Sequence, residues 1–291
     1  GGKMNPLSIY IHIPFCIHKC GYCDFNSYAL DNLLDQGHAG ENWAESYSEA
    51  VIRELKGRTR SLGLAERPVQ TLFFGGGTPS YLSSDQLSEL FEAIQTHMGW
   101  DGVKEVAFEC EPGTVKEGKL QRLRDLGVTR LSLGVEHYDD KILEVAGRAH
   151  RQEEIYAAFE AARKADFPQI NIDLIAGMLG DTDEKWRAAV EQTIELNPDS
   201  VTIYQMEVPY NTTMFQQMQS LGEDVAPVAN WTTKRAWVDY AFSKLEAAGY
   251  TVTSAYTAVK DPAKTKFIYR DSLWTGGDML AVGVSSFGHL A

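Results

Sequence analysis

Six short runs of apolar and β-branched residues recur along this chain with helix-patterned stretches between them, and this alternation restricts the fold more than any other feature. The runs fall at 8–13, 69–74, 105–110, 130–134, 169–175 and 200–205. Strands alternating with amphipathic helices predict parallel βα units, because each helix carries the chain back across the sheet. The helix starts are legible as capping boxes, in which a short polar side chain and a Glu or Gln three residues on satisfy the first free amides. Asn42-x-x-Glu45 precedes Trp43, Tyr47, Val51 and Leu55, and Ser83-x-x-Gln86 precedes Leu87, Leu90, Phe91 and Ile94. Thr114-x-x-Glu117 precedes Leu120 and Leu123, and Asp181-x-x-Glu184 precedes Trp186 and Val190. These stripes have helical spacing and read as core. A further helix is expected over 232–248, followed by an extended stretch at 251–256. Two segments break the rhythm: 29–40 reads as a polar loop, and 210–230 reads equally as a lid or as a connector.

The first strand-like run ends at Pro14-Phe15 and leads directly into Cys16-Ile17-His18-Lys19-Cys20-Gly21-Tyr22-Cys23. Three thiols in one short loop reach three irons of a [4Fe–4S] cube and leave the fourth iron open. A fully ligated electron-transfer cluster takes four thiolates, whereas a catalytic metal keeps one position for a ligand. Zinc held by the three cysteines with His12 or His18 is the competing reading. The fourth cysteine, Cys110, lies far away in an apolar run and reads as a small core residue.

The second run leads into Gly75-Gly76-Gly77-Thr78-Pro79-Ser80. Glycines there let the backbone approach a ligand closely, although a tight turn would use the same residues. In parallel α/β folds, ligands bind at the C-terminal edge of the strands. The distinctive polar residues sort to that edge: Glu109 closes the third run, Glu136 follows the fourth, Asp173 lies in the fifth, and Met206 and Glu207 follow the sixth. Asp173 stands in the core-like Asn171-Ile172-Asp173-Leu174-Ile175, where an unpaired carboxylate would cost several kcal/mol or more. Either it lines a polar interior or it pairs structurally with Arg148. Glu109 alternates with Phe108 and Cys110, so those two point to the opposite face.

The cysteine loop together with the glycine loop resembles the radical SAM superfamily. From about Pro6 to the end, the chain is similar to the group that contains oxygen-independent coproporphyrinogen III oxidase and its haem-chaperone relative. That resemblance implies an α/β fold, a partial (β/α)6 TIM-like barrel of parallel strands over 6–250, with 251–291 opening a short, truncated C-terminal α+β extension. Residues 1–5, with Gly1-Gly2-Lys3 ahead of Met4, read as a cloning remnant. The resemblance implies a [4Fe–4S] cluster on Cys16, Cys20 and Cys23, with S-adenosylmethionine (SAM) chelating the open iron and being cleaved to a 5′-deoxyadenosyl radical. Tyr10, Gly76 and Glu109 correspond to contacts with that SAM. Tyr22, Gly77, Thr78, Glu136, Arg148, Asp173 and Met206 fall where the oxidase contacts a second SAM, and Phe287 falls near another cofactor contact. A tetrapyrrole-like substrate and an electron donor such as flavodoxin or ferredoxin are implied as partners.

The sequence departs from its relatives at three places. Asp24-Phe25 follows Cys23 where the decarboxylating oxidase has a fourth cysteine, and Phe25 matches the haem-chaperone type. Glu136 stands in Gly134-Val135-Glu136-His137 where the family commonly has Gln. Tyr269-Arg270-Asp271-Ser272-Leu273-Trp274 occupies the place of a His-Asn-x-x-Tyr-Trp motif, so the histidine that would ligate haem iron is absent there. His150 or His289 are the candidate substitutes, and His137 reads as a proton donor, a haem ligand or a hydrogen-bonded structural residue. Three functions therefore stand side by side: a radical enzyme acting on a tetrapyrrole, a radical C-methyltransferase, and a non-enzymatic haem chaperone.

Composition narrows the partners. A formal charge of −13 argues against non-specific nucleic-acid binding, which needs a basic footprint, and against docking on anionic membranes. No run is long enough to span a bilayer, and with no basic-then-apolar leader the expected location is a reducing cytoplasm. Replacing Cys16, Cys20 or Cys23 by Ala is expected to abolish the brown cluster chromophore after anaerobic reconstitution, while Cys110→Ala leaves it intact. Visible absorption of the four variants checks the assignment.

Overall fold

A strand occurs at each of the six apolar runs, and all six run parallel in chain order: β1 (Leu7–Pro14), β2 (Val69–Gly77), β3 (Glu105–Cys110), β4 (Arg130–Glu136), β5 (Gln169–Ala176) and β6 (Ser200–Gln205). The computed structural model describes residues 7–14, 53, 69–77, 82–98, 102–205, 229–263 and 279–282. Three short strands extend the sheet. β7 (Thr251–Val252) pairs antiparallel with β8 (Thr257–Val259), which pairs antiparallel with β6. β9 (Met279–Val282) runs parallel beside β1 at the other edge. Among the described residues the two outer strands, β7 and β9, do not meet, so the α/β sheet is open, as a partial barrel is. No described helix is long and apolar enough to cross a membrane.

The connections carry α1 (Ser84–Met98), α2 (Glu117–Asp125), α3 (Asp140–Val145), α4 (Gln152–Lys164), α5 (Asp183–Leu196) and α6 (Trp231–Ala247). The capping box at Ser83 forms as the sequence predicts: the Ser83 amide donates to Gln86 Oε1 at 2.9 Å and the Gln86 amide donates to Ser83 Oγ at 3.1 Å. Two other helix starts differ. Thr114 closes a 3₁₀ turn, Pro112–Thr114, and its hydroxyl donates to the Glu111 carbonyl at 2.7 Å; α2 begins after Lys116 without a side-chain cap. Pro112 presets the turn, so the helix starts later than the box implies. At α5 the cap is Thr182, which accepts the Lys185 amide at 3.2 Å, because Asp181 is turned inward to His137. The Asn42 box and segments 29–40 and 210–228 lie outside the described residues.

Alternation along the strands splits the sheet into two chemically different faces. Phe74, Phe108, Cys110, Leu131, Leu133, Ile170, Ile172, Leu174, Val201 and Ile203 are buried beneath the helices in one continuous core. Phe74 stacks on Phe91 of α1 with ring centroids 4.6 Å apart, and Trp186 of α5 stacks on Trp237 of α6 at 6.2 Å. The alternate positions are polar: Glu105 and Glu109 on β3, Arg130 and Ser132 on β4, Gln169, Asn171 and Asp173 on β5, Ser200 and Thr202 on β6. Asp173 therefore shares its face with Asn171, while its apolar sequence neighbours belong to the opposite one.

At the N-terminal end of this polar face the Arg130 guanidinium lies 2.9 Å from Glu105 and donates to Gln169 Oε1 at 2.5 and 2.8 Å. Both charges are buried. Removing one partner of such a pair strands the other in low dielectric. Arg130→Met is expected to cost about 3–5 kcal/mol in urea unfolding, and Glu105→Leu added to it is expected to restore most of the loss. A double variant no more stable than Arg130→Met alone would contradict the pairing.

Candidate functional site

Backbone register brings together the strand ends next to the two motifs singled out in the sequence. In the β1–β2 ladder Ile13 pairs with Gly76 and Pro14 with Gly77, so the end of the strand that precedes the cysteine motif lies beside the glycines of the glycine motif. Tyr10 lies in the middle of β1, with Phe73 and Ala281 as its Cα partners on the two flanking strands. Cys16, Cys20, Cys23, Tyr22, Thr78, Met206, Phe287 and His289 lie outside the described residues.

Across β3 to β5 the structure assembles charged groups at the same edge. Glu109 is half-buried on the inner face at the end of β3, between the buried Phe108 and Cys110 of the outer face. The ladder between β4 and β5 slips between Leu133 and Glu136, and Glu136 takes φ of 67°, left-handed backbone that a non-glycine residue adopts at a cost on the order of 1 kcal/mol. The kink brings Glu136 to Arg148, whose Nε–H donates to the Glu136 carboxylate. The Arg148 side chain is only 12% exposed, so it is an inward-held cation and not a solvated helix end. Asp173 accepts from Ser132 Oγ at 3.1 Å on one oxygen and from Asn171 Nδ2 at 2.8 Å on the other. Asn171 is itself saturated: its Nδ2 also donates to Ser132 at 3.0 Å, and its Oδ1 accepts Ser200 at 2.7 Å and Thr202 at 3.2 Å.

Two buried histidines frame these groups. His150 Nε2–H donates to the Val135 carbonyl at 2.8 Å, one residue before Glu136, and Nδ1 meets the Glu111 carboxylate. Arg151 donates to the Arg148 and His150 carbonyls, each at 2.7 Å, and so closes the turn that carries Arg148. Gly113 comes so close that an added Cβ would lie 3.1 Å from the Glu111 carboxylate and 3.3 Å from the Ala149 carbonyl. His150 thus ties the exits of β3 and β4 to Arg148. Both its nitrogens are engaged and it is buried, so it does not fit the role of a substitute haem ligand. His137 is likewise structural: Nδ1 accepts the Asp139 amide at 3.0 Å and Nε2 lies 3.1 Å from Asp181, both side chains buried. Ser132, Asn171 and Glu111 were not singled out in the sequence, and His150 was singled out only as a candidate haem ligand. Ser132 and Asn171 stand at the period-2 positions that also hold Asp173, a signal that was readable; the Glu111–His150 contact spans 39 residues and had none.

The donor set suits a polar, charged ligand that carries both an ammonium and a carboxylate. Glu109, Glu136 and Asp173 supply acceptors for a cationic group, Arg148 supplies the fork for an anionic one, and the glycine-rich end of β2 supplies backbone. Cys110 stands apart. Burial pushes its thiol well above the ordinary thiol range, the nearby Lys119 ammonium offsets part of this, and Glu109 and Glu111 add to the rise. It is a neutral core thiol and not a thiolate ligand.

The radical SAM superfamily model matches residues 10–193. Over 99% of its length the chain is 30% identical to the haem chaperone HemW of Haemophilus influenzae, covering 71% of that protein. It is 32% identical to the oxygen-independent coproporphyrinogen III oxidase of Pseudomonas aeruginosa, over 84% of this chain and 51% of that one. Its fold is similar to that of coproporphyrinogen III oxidase HemN from Escherichia coli, with a TM-score of 0.71 and 25% identity, over 97% of this chain and 64% of the solved one. The chain spans between about half and 71% of the length of these proteins.

A thiol whose pKa is raised on folding stabilises the fold below the ordinary thiol pKa and loses that contribution as the pH climbs through the raised value. Stability is therefore expected to fall as pH rises above about 8.5, the free thiol value, and Cys110→Ala is expected to flatten that decline. Denaturant melts at pH 7 and pH 10 check the slope.

Proposed function

Because this chain belongs to the radical SAM superfamily, in the group that holds the haem chaperones and the oxygen-independent coproporphyrinogen III oxidases, we propose that it is a SAM-dependent radical enzyme acting on a tetrapyrrole. The observation that carries the reading is the gathering at one sheet edge of the β1 exit, the glycine loop, and Glu109, Glu136, Arg148 and Asp173. In this reading Cys16, Cys20 and Cys23 hold the cluster, and the core of 6–250 carries the site, with 251–291 beginning a C-terminal extension. When bound, the [4Fe–4S] cluster and SAM together supply a 5′-deoxyadenosyl radical that abstracts a substrate hydrogen.

The chain's own part is binding, orientation and exclusion of water. The backbone of Gly76 and the Glu109 carboxylate take the ammonium of the cluster-bound SAM, with Tyr10 beside them on β1. Glu136 and Arg148, locked to each other, with Asp173 and the Gly77, Thr78, Tyr22 and Met206 positions, address a second SAM or the substrate; Phe287 falls near another cofactor contact. Asp173 is pre-oriented because donors occupy both its oxygens, so it needs no reorganisation when a ligand arrives. A carboxylate at 136 in place of the common glutamine pairs with Arg148 and reduces the net positive charge offered to that second ligand. The electron donor is a flavodoxin or ferredoxin, and the setting is the cytoplasm.

A second reading has a specific observation behind it: Phe25 after the cysteine loop, as in the haem-chaperone type, and identity to that type over nearly the whole chain. That protein would bind haem and hand it over without turnover. Anaerobic reconstitution followed by SAM, dithionite and coproporphyrinogen III separates the possibilities. Formation of 5′-deoxyadenosine, stimulated by the tetrapyrrole, is expected. Stable haem uptake with no SAM cleavage would replace the enzyme by the chaperone, and S-adenosylhomocysteine alongside would mark radical methyl transfer.

A further inference from the structure

The chain leaves β4 through a three-residue turn. The His137 amide donates to the Val135 carbonyl at 2.8 Å across Glu136, whose φ is 67°. A γ-turn with positive φ is rare and strained, and such backbone persists only where its surroundings fix it from several directions. Arg148 holds the Glu136 side chain and His150 holds the Val135 carbonyl. His137, the residue that follows the turn, is held by a different part of the fold.

The His137 imidazole uses its two nitrogens in opposite directions. Nδ1 accepts the Asp139 amide at 3.0 Å, a local bond of the kind an Asn side chain makes two residues ahead. The proton of the neutral ring is thereby on Nε2, which lies 3.1 Å from Asp181 Oδ1, and both side chains are buried. Asp181 belongs to the segment that joins β5 to α5. Its amide donates to the Met178 carbonyl at 3.1 Å and its Oδ1 accepts the Thr182 amide at 2.8 Å, so the carboxylate that meets His137 is itself fixed at two points. Its Oδ2 is buried without a hydrogen-bond partner among the described residues. A buried carboxylate with an unmatched oxygen is a poor source of stability, so the contact fits placement better than it fits stabilisation.

Helix α3 relays this fixed point to Arg148. Asp139 caps the helix by accepting the Lys141 and Ile142 amides, and Ile142 and Ala146 form a small apolar cluster with Met178, from the segment that carries Asp181. The helix is six residues long and closes in a tight cap. The Gly147 amide donates to the Glu144 carbonyl at 3.0 Å and the Arg148 amide to that of Leu143 at 2.9 Å, with Gly147 at φ of 73°. The Arg148 backbone is thus set by the end of α3, as the Glu136 turn is set by the residue that follows it.

We infer that His137 and Asp181 are positioning residues: their contact locks the 137–148 segment to the β5–α5 connection and so aims the Glu136 carboxylate and the Arg148 guanidinium at their ligand. The inference rests on the reading above, in which that pair addresses a second SAM or the substrate, and adds what places it. His137 and Asp181 act through Glu136 and Arg148.

The test uses the whole chain with its cluster reconstituted anaerobically, titrated separately with SAM and with coproporphyrin III. Arg148→Met identifies which of the two the pair meets. His137→Asn keeps an acceptor for the Asp139 amide and gives up the reach to Asp181, whereas His137→Gln does the reverse. His137→Asn is expected to weaken that ligand about tenfold, the scale of losing an outer partner of a binding group, and Asp181→Ala to weaken it equally. His137→Gln is expected to bind close to the unaltered protein. In the Arg148→Met background His137→Asn is expected to change nothing further, because a residue that acts through another has no effect once that other is gone. Should His137→Asn fail to fold, Asp181→Ala cuts the same contact from the other element and carries the same expectations. If Arg148→Met weakens a ligand that His137→Asn and Asp181→Ala bind normally, the inference falls while the reading of the pair survives. A loss in His137→Gln with none in His137→Asn would overturn it in favour of the local turn, and a loss that adds in full to that of Arg148→Met would overturn it as general destabilisation. If Arg148→Met alters the affinity of neither ligand, the reading that the pair addresses one falls, and this inference with it.

Discussion

Asn171 is the fixed point of the molecule. Its side-chain amide uses both ends, accepting from Ser200 and Thr202 of β6 and donating to Asp173 of its own strand and Ser132 of β4. A buried amide left half-satisfied would cost the full desolvation of the unmatched group. Three adjacent parallel strands are therefore held in one register by polar side chains as well as by their ladders. Asp173 stands in the sheet's interior because this lattice meets both its oxygens.

A second frame operates one strand over. The Arg130–Glu105–Gln169 cluster closes the N-terminal end of the inner face, and the Glu111–His150–Val135 connection braces the C-terminal end. Between them the inner face carries Ser132, Asn171, Asp173, Ser200 and Thr202, while the outer face carries an apolar core under the helices. The division of labour is physical. Stability comes from the outer layer, where burial of aromatic and aliphatic side chains is close to complete. The inner layer adds specificity of position, since each of its polar groups is tolerated only with its partners in place.

The strained end of β4 joins these frames to the turn that bears Arg148. Glu136 adopts left-handed backbone, the ladder slips beside it, and the carboxylate closes on Arg148. His150 anchors the carbonyl of the preceding residue and Arg151 anchors those of the turn that bears Arg148. The pair is thus held from both sides, and the local cost of the kink is offset by contacts remote in sequence.

Much of this was legible without coordinates. The six strands, their parallel order and the Ser83 cap follow from local patterns, because alternation and capping act over a few residues. The sorting of Glu109, Glu136 and Asp173 to one edge follows from topology alone, since parallel strands all end on the same side. Tertiary structure decided what lies between distant segments. It turned Asp181 from a helix cap into the partner of His137, made His150 a brace in place of a haem ligand, and paired Arg148 with Glu136 and not with solvent. It also left Trp231, at the start of α6, exposed. Those outcomes depend on where two faces meet and where a strand stops, and no local pattern in a chain encodes the position of its remote neighbours.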